Sequence, residues 1–209
     1  MNEVLSLKRK SLESHIKETF PDFEFINKKE STLMKWLSKL LFFNKRFMTS
    51  FITVIGNKMY VPMLPWKENN PYGACEVLAH EFVHMKDNQR LGPLFKFLYL
   101  CPQILMLLSV FAFWNPWWFL CLGFLLPIPA PFRAHFEFKA YVVSMAVQWW
   151  LLSKKANPEF FVNQFVSANY YWMFPFKRIL NKKFEEEFTR IKDGNLKSYE
   201  QEIKKALKV

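Results

Sequence analysis

The chain has 209 residues and a formal net charge of +11, with 51% hydrophobic and 19% aromatic residues. This apolar content excludes a disordered chain, and the length suffices for one domain, or for a small domain with an appendage. The excess of positive charge lies at the two ends of the sequence. Residues 1–46 carry 10 basic and 6 acidic side chains, and residues 133–209 carry 14 basic and 8 acidic side chains. Basic ends suit an anionic membrane or nucleic acid. Nucleic acid is disfavoured, since the sequence has no zinc knuckle or aromatic RNP motif.

The cysteines and the N-terminus bear on the compartment. Cys75, Cys101 and Cys121 are odd in number and lack CxxC spacing, so we expect neither a disulfide framework nor a cysteine-type zinc site. Cys101 and Cys121 lie in apolar sequence and are expected to be buried thiols, which fits a reducing compartment. The N-terminal residues contain no apolar run, so no cleavable signal peptide is expected.

Two amphipathic helices are predicted in the first 43 residues. The first runs from Glu3 to Phe20 and ends at Pro21. The second runs from Ser31 to Phe43, with Ser31 as its N-cap. Its basic face and Trp36 suit a helix in a membrane interface, and an ordinary core helix explains them equally well.

A β-hairpin and a third helix follow. Residues Phe47–Ile55 and Lys58–Val61 are rich in β-branched and aromatic side chains, and the Gly56-Asn57 pair between them predicts a hairpin turn. Residues Pro65–Pro71 are expected to form a loop. The next segment, Tyr72–Arg90, has helical periodicity and ends at Gly92-Pro93.

The segment from Phe97 to Phe132 contains no charged residue, and Asn115-Pro116 breaks it near the middle. Its halves, Phe97–Phe113 and Trp117–Ala130, would form helices of about 25 and 21 Å. Each is short of the roughly 30 Å of a bilayer core. The pair is therefore predicted to form a hydrophobic hairpin that either spans or dips into a membrane.

The flanks of this hairpin predict its orientation. Lys96 and Arg133 bracket the segment, and Trp114, Trp117 and Trp118 cluster at its turn. Positive charge at both ends and aromatic residues at the turn are typical of a membrane hairpin with both ends in the cytoplasm. The alternative is a soluble protein whose hairpin docks on a partner or is buried in an oligomer.

The remainder is predicted to be helical, over Arg133–Lys155, Pro158–Tyr171 and a charged C-terminal helix at 177–209. The fold class is therefore α+β and mainly helical, with a short β-hairpin. We expect one domain over residues 1–209, with residues 97–132 as an inserted hydrophobic hairpin.

The predicted helix over Tyr72–Arg90 carries the run His80-Glu81-Phe-Val-His84. Residues four apart lie on one helix face, so both imidazoles can reach one ion about 2 Å away. Glu81 lies beside the first histidine, where a carboxylate can take a proton from a water on that ion. This is the chemistry of the His-Glu-x-x-His pattern, and it predicts a zinc site.

A catalytic zinc takes three protein ligands and keeps one position open. The other histidines are His15, expected to be solvated on a lysine-rich face, and His135. Glu137 and His135 lie two apart on a predicted helix and face different ways, and we favour Glu137 as the third ligand. The competing interpretation of Glu137 is a surface salt bridge.

These motifs resemble the gluzincin peptidases, in particular the membrane-embedded M48-type peptidases. Residues 77–84 resemble their active-site helix, and Phe136-Glu-Phe-Lys-Ala140 resembles the second helix, which carries the glutamate ligand. The resemblance implies a zincin-like core over roughly residues 47–150, with a hydrophobic hairpin between the two motifs and an arginine represented by Arg133. An aspartate that usually follows the alanine is replaced by Tyr141.

Several supporting roles remain open. Asp87, one turn after His84, either orients a ligating imidazole or is an exposed charge near the helix end. The hairpin at 47–61 either holds substrate as an added strand or belongs to the core. An oxyanion partner could be Tyr141, Tyr170, Tyr171 or His135.

The predicted function is zinc-dependent hydrolysis of peptide bonds at a membrane surface, on the cytoplasmic side. Zinc would bind His80, His84 and Glu137, Glu81 would act as general base, and the substrate would be a protein or peptide. The alternative is a membrane-inserting or assembly component, for example a phage-encoded virion protein, that retains the metal site.

Overall fold

A computed structural model describes residues 2–40, 47–63, 66–126, 128–167 and 172–209. Over these residues the chain is mainly helical with a three-stranded sheet, which confirms the predicted α+β class. The strands are β1 (Glu24–Asn27), β2 (Thr53–Ile55) and β3 (Lys58–Val61). The helices are α1 (Asn2–Thr19), α2 (Thr32–Leu40), α3 (Trp66–Asn69), α4 (Pro71–Leu91), α5 (Pro93–Leu100), α6 (Pro131–Leu152), α7 (Pro158–Val166), α8 (Lys177–Lys192) and α9 (Ser198–Ala206), with two 3₁₀ helices, η1 (Gln103–Phe113) and η2 (Pro116–Leu125).

The backbone divides into two compact units. The first comprises residues 1–85 together with 198–209, and the second comprises residues 86–197. Helix α4 begins in the first unit and ends in the second. In the first unit the two chain ends meet, since the Lys8 ammonium donates to the carbonyl oxygens of Leu207 and Lys208, each at 3.3 Å.

The sheet of the first unit has the order β1-β3-β2. Strands β2 and β3 form the predicted hairpin, with Thr53 opposite Tyr60 and Gly56 in the turn at a φ of +63° that suits glycine. The first arm is shorter than predicted, because only Thr53–Ile55 pair with β3. Strand β1 was not predicted; it is four residues long and pairs in parallel with β3.

The predicted amphipathic helices of this unit are confirmed. Helix α1 buries the face that its periodicity indicated, and Arg9 is buried on the same face. Ser31 caps α2, since its Oγ accepts from the Met34 N–H at 3.3 Å. The last predicted residues of α2 lie outside the described part of the chain. The predicted loop at 65–71 contains one short helix, α3.

Lys28 lies just after β1 and is fully buried. Its ammonium donates to the Phe47 carbonyl oxygen at 2.8 Å and lies 4.0 Å from the centroid of the Phe47 ring. Burial lowers the pKa of Lys28 to about 8, because the charged form loses its hydration. Folding therefore costs more free energy when Lys28 is charged than when it is neutral.

This burial predicts a change of stability with pH. The folded chain has a Lys28 pKa of about 8, against an ordinary value of 10.5. Between these values the unfolded chain binds more protons, so the contribution of Lys28 to the free energy of unfolding rises with pH, by on the order of 1 kcal/mol. Urea denaturation across this window should show the rise in the wild type relative to Lys28→Met. The control is Lys29→Met, because Lys29 is the exposed neighbour. If the free energies of unfolding of the wild type and of Lys28→Met change in parallel with pH, the expectation is contradicted.

The second unit contains an aromatic core formed by α6, α7 and α8. The Phe184 ring lies 5.7 Å from that of Phe161 and 5.9 Å from that of Phe165, and Tyr141 lies 5.7 Å from both Phe161 and Phe165. Helix α7 is capped by Asn157 and ends at Val166, earlier than predicted. Dense aromatic packing of this kind accounts for part of the unusual composition.

The charged C-terminal segment was predicted as one helix, and it forms two. Helix α8 ends at Lys192, and α9 begins at Ser198 in the first unit. Between them Gly194 adopts a φ of +77°, a conformation that interrupts a helix and that glycine tolerates. The charge pattern alone did not indicate this break.

Helices α5, η1 and η2 form the predicted hydrophobic hairpin, which we call the apolar hairpin. Its first half is interrupted at Pro102, because proline disfavours helical backbone in the preceding residue and Cys101 is extended. The break at Asn115-Pro116 is confirmed, with the Asn115 side chain accepting from the Trp117 N–H at 3.0 Å. Cys101 and Cys121 are only half-buried here, so the expectation of buried thiols was wrong for both.

The apolar hairpin exposes much of its apolar surface. Phe113 is 91% exposed and Trp117 is 75% exposed at the turn. Among the described residues no single helix is long and apolar enough to cross a bilayer. The pair α5 and η1 would suffice together by length and composition, but the two helices are bent by 87° at their junction.

Candidate metal centre

Helix α4 positions the two histidines of the His-Glu-x-x-His run on one face. Their Nε2 atoms lie 3.2 Å apart, and their ring centroids are 4.9 Å apart. Bonds of about 2.1 Å to a tetrahedral zinc would place two ligand atoms about 3.4 Å apart. The two imidazoles are therefore arranged as a pair of ligands to one ion would be.

The opposite face of α4 holds this pair in place. Leu78, Ala79, Phe82 and Val83 are fully buried. The Phe82 ring contacts those of Phe20 and His15 at 5.9 and 5.6 Å. A helix anchored by these contacts fixes the direction in which the histidines point. His80 remains 9% exposed, and Glu81 and His84 are half-buried.

One turn before His80, α4 carries a second acidic residue that the sequence reasoning missed. Burial raises the pKa of the Glu76 carboxyl, while a hydrogen bond with Tyr72 and the nearby His80 imidazole act in the opposite direction. The signal was available, since Glu76, His80 and His84 are spaced four residues apart. Glu76 therefore lies on the same face of α4 as the two histidines, one turn before the first of them.

Glu137 lies in the N-terminal third of α6 and is 1% exposed. The competing interpretation as a surface salt bridge is therefore wrong. The Tyr99 hydroxyl of α5 donates a short hydrogen bond to Glu137 Oε1. His135, the weaker candidate for third ligand, is exposed on the same helix. Tyr99 escaped the sequence reasoning, because no periodic pattern connects positions 38 residues apart.

His80, His84 and Glu137 each offer one ligand atom, and these atoms lie within 4.8 Å of one another. Two imidazole nitrogens and one carboxylate oxygen are a donor set that suits zinc and other first-row transition metals. The group can hold a metal ion, and the chemistry of its donors fits that role.

Asp87 and Lys139 form an ion pair within the second unit, at 2.5 Å. Asp87 is 2% exposed, so its interpretation as an exposed charge near the helix end is wrong. The sequence reasoning did not foresee the pairing with Lys139. A buried carboxylate held by an ammonium is fixed in orientation.

The other predicted residues lie as follows. His15 is half-buried, with Nε2 3.2 Å from Glu202 Oε1, which differs from the predicted solvated position. Tyr141 packs in the aromatic core of α6 and α7. Arg133 donates to the Tyr99 carbonyl at 2.8 Å and to Gln103 Oε1 at 3.0 Å. Tyr170 and Tyr171, the other two tyrosines suggested as oxyanion partners, lie outside the described residues.

Comparison with known proteins found no relative of this chain. No family model, no curated protein and no solved structure matches the chain. The resemblance to gluzincins thus remains a prediction that depends on the two motifs.

The three-residue group makes a direct prediction about metal binding. His84→Ala and Glu137→Ala should each lower the affinity for zinc by more than about tenfold, since each removes one ligand. His135→Ala is the matched control, because His135 lies two residues from Glu137 and is exposed, and it should keep wild-type affinity. Equilibrium competition with a fluorescent zinc chelator measures all three. Full affinity in Glu137→Ala, or loss in His135→Ala, would reassign the third ligand.

Proposed function

We propose that the chain is a zinc-dependent metallopeptidase that hydrolyses peptide bonds in proteins or peptides. The observation that carries the proposal is the group of His80, His84 and Glu137, with Glu81 directly after the first histidine. Three protein ligands leave a fourth position for water or substrate, which distinguishes a catalytic zinc from a closed structural one.

Zinc, when bound, supplies a Lewis acid that acidifies water and polarises a carbonyl. His80 and His84 would hold the ion through their imidazole nitrogens, and Glu137 would supply one carboxylate oxygen from a buried position. Glu81 accepts a proton from the attacking water and passes it to the departing amine. A structural zinc site would have no use for such a base, so Glu81 is the residue that favours hydrolysis.

The sheet offers a place for an extended substrate. Strands β1 and β2 are the edges of the sheet, with β3 between them. An extended peptide can add to such an edge through main-chain hydrogen bonds. We propose that β2, the first strand of the predicted hairpin, is the edge that substrate extends.

Glu81→Gln tests the hydrolytic step. The variant should bind zinc as the wild type does, because Glu81 is not among the ligands, and should lose at least about 100-fold in cleavage of fluorescent casein. Glu68→Gln on α3 is the matched control, since Glu68 is exposed. If the wild type binds zinc and Glu81→Gln cleaves casein at the wild-type rate, Glu81 is not the base and the peptidase proposal fails.

We propose also that the apolar hairpin inserts into a membrane and places the metal centre at the cytoplasmic surface. The support is its lack of charge over residues 97–132, the exposure of its aromatic turn, and the basic residues at both ends. Exposed apolar surface of this extent is costly in water, and a lipid phase would remove that cost.

The membrane proposal predicts binding to vesicles. Wild-type protein should float with vesicles of phosphatidylcholine and phosphatidylglycerol, whereas the double variant Phe113→Asp/Trp117→Asp should lose more than about tenfold in partitioning, because buried charge costs several kcal/mol in a bilayer. Both side chains are exposed, so the fold should tolerate the change. Leu7→Asp on α1 adds one charge at another exposed apolar position and should float normally. Unchanged flotation of the double variant would contradict insertion at the turn.

A second function from another class is an assembly or virion protein that inserts into membranes and retains the metal site. The exposed apolar hairpin favours it as much as it favours a membrane peptidase. Zinc binding and vesicle binding without any Glu81-dependent hydrolysis would select this alternative.

A further inference from the structure

We infer that Tyr99 is a positioning residue for the metal ligand Glu137, and that it holds the carboxylate so that one oxygen is directed to the ion. The inference rests on the proposed metal-binding function. Its basis is the hydrogen bond from the Tyr99 hydroxyl to Glu137 Oε1, a contact that neither the motif nor the family resemblance predicts.

The hydrogen bond from Tyr99 compensates for the burial of Glu137 and orients its carboxylate. Glu137 is almost fully buried, and a buried carboxylate needs strong hydrogen bonds to offset the hydration it loses. A hydroxyl on Oε1 meets part of this need and also restricts rotation of the carboxylate plane. Carboxylate ligands of metals are commonly held by such a donor, and loss of the donor weakens metal binding.

Tyr99 is itself held from several sides, as a positioning residue should be. Arg133, one turn before Glu137 on α6, donates to the Tyr99 carbonyl at 2.8 Å, and its guanidinium lies 5.5 Å from the centroid of the Tyr99 ring. The Phe95 ring contacts Tyr99 at 5.7 Å and Phe136 at 4.8 Å. The hydroxyl therefore approaches Glu137 from a side chain whose backbone and ring are both fixed.

The same arginine ties Tyr99 to the base of the apolar hairpin. Arg133 also donates to Gln103 Oε1 at 3.0 Å, and the Gln103 amide donates to the Ile128 carbonyl at 3.3 Å. Gln103 opens η1 and Ile128 follows η2, so this chain of bonds closes the hairpin where it joins α6. The position of Tyr99, and through it that of Glu137, depends on this closure.

The test compares zinc affinity in Tyr99→Phe with that in the wild type. The variant keeps the ring and its packing and removes only the hydroxyl, so it should still fold, with some loss of stability because the buried carboxylate loses a donor. We expect the zinc dissociation constant to rise about tenfold, the lower end of the effect of such supporting residues. Tyr60→Phe, which removes the hydroxyl of a tyrosine on β3, is the matched control and should keep wild-type affinity.

A cobalt-substituted sample adds a readout that a merely structural residue would not move. The visible absorption of bound cobalt reports its ligand geometry, so the bands of Tyr99→Phe should shift relative to those of the wild type and of Tyr60→Phe. Arg133→Gln should weaken zinc binding through Tyr99, and should therefore have little further effect in the Tyr99→Phe background.

Each outcome has a distinct meaning. If the wild type binds no zinc, the proposed function fails and the inference falls with it. If the wild type binds zinc and Tyr99→Phe has the same affinity and cobalt spectrum, only the positioning role is overturned. A loss of hydrolysis at unchanged zinc affinity would also overturn it, since Tyr99 would then act on substrate and not on Glu137.

Discussion

A carboxylate buried in an apolar helix is the constraint on which the second unit depends. Glu137 lies on α6 among neighbours that are mostly buried and hydrophobic, and the free energy cost of placing a charge there is several kcal/mol unless other groups compensate. The Tyr99 hydroxyl is one such group, and a bound cation would be a stronger one. The burial of Glu137 therefore fits a metal site, where a cation offsets the cost of burying the charge. In a helix that serves only for packing, nothing would be gained for that cost.

The sequence predicted the histidine pair well because its geometry is local. Two residues four apart on a helix share a face, and this spacing allows the 3.2 Å separation of their Nε2 atoms. Glu137 could be chosen because an acidic residue in an apolar helix demands an explanation. Tyr99 and Lys139 could not be found in this way, since their contacts join distant parts of the chain and leave no periodic trace in the sequence.

The same distinction holds for the fold. The helices with clear periodicity, α1 and α4, were located to within one or two residues. The two breaks that were missed, at Pro102 and near Gly194, depend on single residues that a regular pattern conceals. Strand β1 was missed because four residues show little alternation, and its parallel pairing with β3 bridges more than thirty residues.

Arg133 links the two unusual features of this chain, the uncharged apolar hairpin and the buried carboxylate of Glu137. It is the first charged residue after the uncharged segment, and its guanidinium bonds to both Tyr99 and Gln103 at the start of the apolar hairpin. A lysine could not replace it easily, because one ammonium lacks the planar fork that reaches a carbonyl and an amide at once. Separation of the hairpin from α6 would break these bonds and remove one of the contacts that hold Tyr99 near Glu137. The apolar hairpin and the buried carboxylate are thus joined by one chain of hydrogen bonds, which runs from Gln103 through Arg133 and Tyr99 to Glu137.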